Sequence, residues 1–174
     1  MNNKYVDIRL SHNFYDLEIQ VDYYMENGSS NPFLENTDFI KPLMLFLLKK
    51  VKFANVYFHS RYTHLEKELI NMASVVQTHM DTRLNLKTLE ILIDEKFNNF
   101  LIYNSLTKDY VFKIRFLDLY IDKTKKSTVC SFISNSTNIH IYNLTSEEKD
   151  YVLSLFQGKD FHIDIYLKYN QDSY

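Results

Sequence analysis

The stretch DLEIQVDYY, residues Asp16 to Tyr24, alternates without a break. In an extended chain Leu17, Ile19, Val21 and Tyr23 project to one side, while Asp16, Glu18, Gln20 and Asp22 project to the other. A helix has a period of about 3.6 residues and cannot gather that pattern onto one apolar face. The stretch therefore predicts a strand with one buried side. Upstream, Val6, Ile8 and Leu10 alternate in the same way, and SHNFY reads as the connection between the two runs. The pair predicts an N-terminal antiparallel hairpin. Glu26–Pro32 (ENGSSNP) is the clearest loop in the chain.

From Thr37 onward the period lengthens. Thr37 or Asp38 is placed to cap a helix over Phe39, Leu43, Phe46, Leu47 and Lys50, with Pro42 early, where a missing N–H is tolerated. FANVYFHS fits either a helix or a short strand. Ser60 is expected to cap a second helix reaching about Thr78 with Leu65, Leu69, Met72 and Val76 on its core stripe, and Asn85 or Thr88 to open a third over Leu89, Ile93, Phe97 and Phe100 or Leu101.

Strands are expected again after NSLTKD. Tyr110, Phe112, Ile114 and Phe116 alternate, the parity slips at Leu117, and Leu119 and Ile121 continue it, which predicts a bulge. DKTKKS reads as a polar hairpin tip, followed by strands at 129–133 and 138–142. LTSEEKDYVLSLFQG is well punctuated as a helix: Thr145 and Glu148 fit a capping box, and Gly158 can close the C-terminus. Phe161, Ile163, Ile165 and Leu167 then alternate in a final strand. With 45% apolar and 16% aromatic residues the chain has ample material for a core. The expectation is one α+β domain over residues 1–174. It comprises an N-terminal antiparallel hairpin, a helical middle of two to three helices, and C-terminal antiparallel strands with a late helix packed on the sheet.

Composition excludes several chemistries. Only two glycines occur among 174 residues, and none forms a phosphate-cradling loop or a dinucleotide fingerprint. Cys130 is the single cysteine, so no internal disulfide or cysteine-rich zinc site is expected, and a buried strand cysteine acts as a small hydrophobe. No metal and no cofactor are predicted. MNNKYVDIRLSH lacks a signal-type apolar run, and PLMLFLLKK is shorter than the roughly 20 residues a membrane-spanning helix needs, so a cytoplasmic protein without a membrane role is expected. The abundance of Asn, Lys, Ile and Tyr suits an AT-biased genome such as that of a phage or mobile element.

FHSRYTHLEKE is the densest polar cluster. On a helix starting near Ser60, Arg61, His64 and Glu68 fall along one line, with His64 as a base, Glu68 orienting it and Arg61 holding phosphate. That arrangement defines an alternative reading as a small phosphodiesterase or nuclease; charged pairs at this spacing are also ordinary on solvated helices. His140 and His162, in late strands, could face each other across a sheet. Lys41, Lys49, Lys50 and Lys52, with Lys123, Lys125 and Lys126, give a weaker nucleic-acid signal, since lysine at hairpin tips keeps sheet edges soluble.

Charge segregation is the more informative feature. The total is −2, yet residues 1–40 carry seven acids against two bases, and residues 41–70 carry six bases against two acids. An acidic strand face steers association with a basic partner. The leading expectation is a non-enzymatic protein-binding module, of the inhibitor, immunity-protein, antitoxin or phage anti-defence kind. It would occlude a basic partner surface through Asp16, Glu18, Asp22, Tyr24 and Glu26. A structural subunit of a larger assembly is the third possibility.

Overall fold

The computed structural model describes residues 14–20, 39–104, 113–122, 128–133, 138–159 and 161–168. In chain order these form β1 (Phe14–Gln20), α1 (Ile40–Leu47), β2 (Phe53–His59), α2 (Thr63–Met72), β3 (Ser74–Asp81) and β4 (Leu86–Leu92). There follow α3 (Glu95–Tyr103), β5 (Ile114–Tyr120), β6 (Thr128–Ile133), β7 (Asn138–Leu144), α4 (Ser146–Leu155) and β8 (His162–Lys168). The strands make one eight-stranded sheet in the order β3-β4-β2-β5-β6-β7-β1-β8, and every neighbouring pair is antiparallel. The chain is α+β, with the late helix on the sheet, as its patterning predicts.

Strand periodicity places the core on one side. Leu17 and Ile19 of β1, Ala54, Val56 and Phe58 of β2, Leu89 and Ile91 of β4, and Ile139 and Ile141 of β7 are all buried on that side. All four helices add to the same cluster: Leu43, Met44 and Leu47 from α1, Leu65 and Leu69 from α2, Phe97, Phe100 and Leu101 from α3, and Val152 from α4. α1 packs on α3 and α4, and α4 on β1 and β7. Burying a side chain of this size contributes about 1.5–3 kcal/mol, so the shared cluster is the main source of stability. Phe39, Phe156 and Phe161 form a three-ring contact, with centroids 4.7–5.2 Å apart, joining the start of α1, the end of α4 and the approach to β8. Among the described residues no helix covers the opposite face.

Several expected elements are corrected. The helix predicted from Ser60 to Thr78 ends at Met72; Val76 lies in β3, and the first turn has no side-chain cap. The helical pattern predicted from Asn85 or Thr88 is instead β4 followed by α3, whose N-cap is Asp94, its Oδ1 accepting from the Phe97 N–H at 2.9 Å. The middle of the chain therefore holds three helices, as expected, interleaved with three strands. FANVYFHS resolves as β2. The predicted bulge exists two residues early: Tyr57 faces Phe116 and Phe58 faces Ile114, leaving Arg115 as the extra residue. Ile114 and Leu117 are consequently both buried, and Ile121 is exposed.

β1 has β7 on one edge and β8 on the other, so its described neighbours are both C-terminal strands. The predicted hairpin partner at 4–11, the Thr37 or Asp38 cap, the loop Glu26–Pro32, and the tip lysines 123, 125 and 126 lie outside the described residues.

Candidate functional site on the open sheet face

The uncovered face is built by the residues that alternate with the core. Register fixes which of them meet. Gln77 lies opposite Glu90, Glu90 opposite Asn55, and Asn55 opposite Asp118. The line continues through Ser131, His140, Glu18 and Asp164. One row of side chains thus crosses all eight strands; it holds four carboxylates and no lysine or arginine. Strands lie about 4.8 Å apart, which makes the row about 34 Å long.

Tyrosines flank the row. Tyr120 Oη donates to Asn55 Oδ1 at 3.2 Å, and Asn55 Nδ2 donates to Tyr57 Oη at 3.4 Å. Tyr57 Oη in turn hydrogen-bonds the Asp118 carboxylate. Tyr57 thus serves Asp118, while Tyr120 Oη also hydrogen-bonds the Glu90 carboxylate. Burial, then the charge and hydrogen bond of Asp118, push the Tyr57 hydroxyl up to about 12. Burial, followed by the Glu90 carboxylate, raises Tyr120 further. Both phenols therefore stay protonated at physiological pH and act as neutral donors. Tyr120 also stacks on Phe53, with centroids 5.7 Å apart.

Where β3, β4 and β2 meet, Asn55, Tyr57, Gln77, His79, Thr88 and Glu90 line an open cavity of about 230 Å³. Of the lining residues, Glu90 has its Oε1 buried and without a hydrogen-bond partner among the described residues.

Towards β8 the face is more self-satisfied. Glu18 Oε1 accepts from Gln20 Nε2 at 2.7 Å and lies 3.4 Å from His140 Nε2, while Tyr166 Oη donates to Glu18 Oε2 at 3.3 Å. Asp16 Oδ2 lies 2.6 Å from Lys168 Nζ. Its Oδ1 accepts from the Asn143 N–H at 2.9 Å. Asn143 has a φ of +56° and is part of the two-residue bulge that β7 makes against Asp16. Asp16 thus fastens a strained turn of the backbone.

Of the residues predicted to bind a partner, Asp16 and Glu18 both lie on this open face; Asp22, Tyr24 and Glu26 lie outside the described residues. Arg61, His64 and Glu68 are all exposed on or just before α2. The Arg61 guanidinium sits over the Tyr62 ring, 4.9 Å from its centroid, and donates to Tyr62 Oη at 2.9 Å. None of the three lines the cavity between β2, β3 and β4. His140 and His162 do not face each other, because β1 lies between their strands; His162 instead sits 3.3 Å from Asp164. Cys130 faces the core opposite Leu119, and burial raises its thiol well above the usual range. Among the described residues no group of three or more His, Cys, Asp or Glu could hold a metal ion, and no helix is long and apolar enough to cross a membrane.

Sequence reasoning missed Glu90, Asn55, Tyr57, Asp118 and Tyr120. The available signal was the alternation of Asn55, Tyr57 and His59 with Ala54, Val56 and Phe58. It marked a polar strand side once FANVYFHS was taken as a strand.

Among the described residues, fold and face together define a two-layer α+β arrangement, four helices on one side of an antiparallel sheet whose other side is polar and tyrosine-rich. Comparison of the chain with protein-family models, curated proteins and solved structures gives no significant match.

Proposed function

We propose that this protein is a non-enzymatic binding module that covers a basic surface of a protein partner with the open face of its sheet. Inhibitors, immunity proteins and antitoxins work in this way, and a phage anti-defence protein would do the same. The observation that carries the reading is the central row, with Glu90, Asp118, Glu18 and Asp164 spread across the sheet. Carboxylates held at strand spacing match a surface that ordinarily meets phosphates, and flanking tyrosines supply rigid amphipathic anchors of the kind found at interface centres. Long-range attraction between such faces raises the association rate and falls with salt.

The test is face-dependent capture. Immobilised wild-type chain is expected to retain a stoichiometric protein partner from its native host. The double variant Glu18→Lys with Asp164→Lys, shown to be folded by circular dichroism, is expected to lose it. Retention of the partner by the folded variant, or no partner on the wild type, overturns the reading.

A further inference from the structure

We propose that the cavity between β2, β3 and β4 receives a guanidinium group, supplied by an arginine side chain of the protein partner. The inference rests on the binding reading above and adds what that surface recognises at this cavity.

The first argument is the unpaired oxygen. Glu90 lines the cavity, and its Oε1 is buried behind that wall and accepts no hydrogen bond from the described residues, so the carboxylate gains a donor by turning towards an occupant. A buried carboxylate oxygen left without a donor is costly, and an occupant carrying N–H groups removes that cost.

The second argument is which protons the walls have to offer. Tyr120 Oη is shared between Asn55 and the Glu90 carboxylate, Asn55 turns its amide N–H₂ towards Tyr57, and Tyr57 gives its proton to Asp118. The two tyrosines and Asn55 spend their donors within the network; Gln77, His79 and Thr88 add neutral polar groups, and Glu90 is the carboxylate among the lining residues. No lysine or arginine is among the lining residues. An anion would be repelled by Glu90 and by the neighbouring Asp118. An apolar group would leave Oε1 unpaired. A cationic donor answers both conditions.

The third argument separates guanidinium from ammonium. A guanidinium is planar, weakly hydrated and carries five donors in a fixed fork, which suits a carboxylate set beside a carboxamide oxygen. It also packs against aromatic faces, and Tyr57 and His79 both line the cavity. An ammonium must shed a tighter hydration shell to enter the same space. The cavity opens onto the central row, so an arginine seated here would bring the basic surface around it against Asp118 and the carboxylates beyond.

The probe is Nα-acetyl-arginine amide, titrated into the ¹⁵N-labelled full chain at neutral pH and low salt. Nα-acetyl-lysine amide and Nα-acetyl-citrulline amide are titrated in parallel. Saturable shifts are expected at Asn55, Tyr57, Gln77, His79 and Glu90 with the arginine probe, with the other two binding about tenfold or more weakly. Glu90→Gln, isosteric and checked for an otherwise unchanged spectrum, is expected to weaken the arginine probe by about tenfold or more, the size of one lost charge-assisted hydrogen bond. Equal binding of the lysine probe, equal binding of the citrulline probe, or undiminished binding to Glu90→Gln would each overturn the proposal.

The captured partner supplies the arm that separates the two ideas. A partner held equally by wild type and Glu90→Gln, with no response to the arginine probe, defeats the cavity proposal and leaves the binding reading standing. Specific binding of the arginine probe with no partner captured defeats the binding reading, and with it the partner as the source of the guanidinium.

Discussion

Asp16 shows how one side chain can belong to two arguments. In sequence it is the first acid of an alternating strand; in the fold it holds the Asn143 N–H at a backbone bulge with positive φ. The Asn143 N–H is exposed, so its bond to Asp16 contributes about 0.5–1.5 kcal/mol, and the ion pair with the exposed Lys168 contributes little. Asp16→Ala is expected to lower stability by about 0.5–1.5 kcal/mol in urea unfolding, and Asp16→Asn, which keeps an acceptor, by less. Equal losses in the two variants would show that the charge, and not the bond to Asn143, matters. Asp16 is for this reason a poor choice for probing the interface, and Asp164, more exposed and further out on the same face, is a better one.

Helix starts are the elements whose local chemistry is most complete. Thr145 and Glu148 form a reciprocal capping box at α4, and Glu148 also pairs with Lys50 in the turn that follows α1. Burial alone would raise the Glu148 carboxyl, but the Lys50 ammonium and the Thr145 N–H outweigh it and hold it below the usual range. Asp94 is held low chiefly by the Phe97 N–H, with help from the Ser74 hydroxyl, which ties the start of α3 to β3. A carboxyl whose pKa is depressed in the folded state stabilises above its unfolded value, and that contribution fades as the pH falls through the folded value. The stability gap between wild type and the double variant Asp94→Asn with Glu148→Gln is expected to be full at pH 6 and to close below about pH 4, near the unfolded carboxyl pKa. Thermal melts across that range measure it; a gap that stays constant with pH would refute the ionic part of the capping. Asp94→Ala alone is expected to cost about 1 kcal/mol in urea unfolding, the usual loss for a removed cap.

At the scale of the whole molecule, the core and the face proposed for recognition lie on opposite sides of one sheet. The Phe39, Phe156 and Phe161 rings join three segments far apart in the chain, and Phe156 is only 3% exposed. Phe156→Ala is expected to cost about 3–5 kcal/mol through lost burial and the cavity left behind, read by calorimetry or urea unfolding. Substitutions on the central polar row are expected to cost far less stability while altering binding. A folded Phe156→Ala should keep the arginine-probe response of the β2-β3-β4 cavity, since the three rings and the cavity lie on opposite sides of the sheet.

How much of this could be read from the chain follows the range of the interaction involved. Alternation in DLEIQVDYY and in the final strand, and the Thr145–Glu148 box, are local, so the sequence predicts β1, β8 and α4 close to where they lie. The β3–β4 hairpin was illegible because Met72 and Val76, like Leu89, Ile93 and Phe97, also satisfy helical spacing. Val75, Val76 and Thr78 favour a strand, but only pairing with β4, and the pairing of β4 with β2, decided it. Patterning marked Glu18 as a polar strand position but singled out neither Asp118 nor Glu90, and it carried no sign that the three share a line. The sequence by itself determined the class of fold and the polar character of half the sheet, because both rest on period and composition. The tertiary structure decided strand order and register, and with them the row across the sheet and the cavity at Glu90, because residues as distant as Glu18 and Asp118 are aligned only by hydrogen bonds between strands.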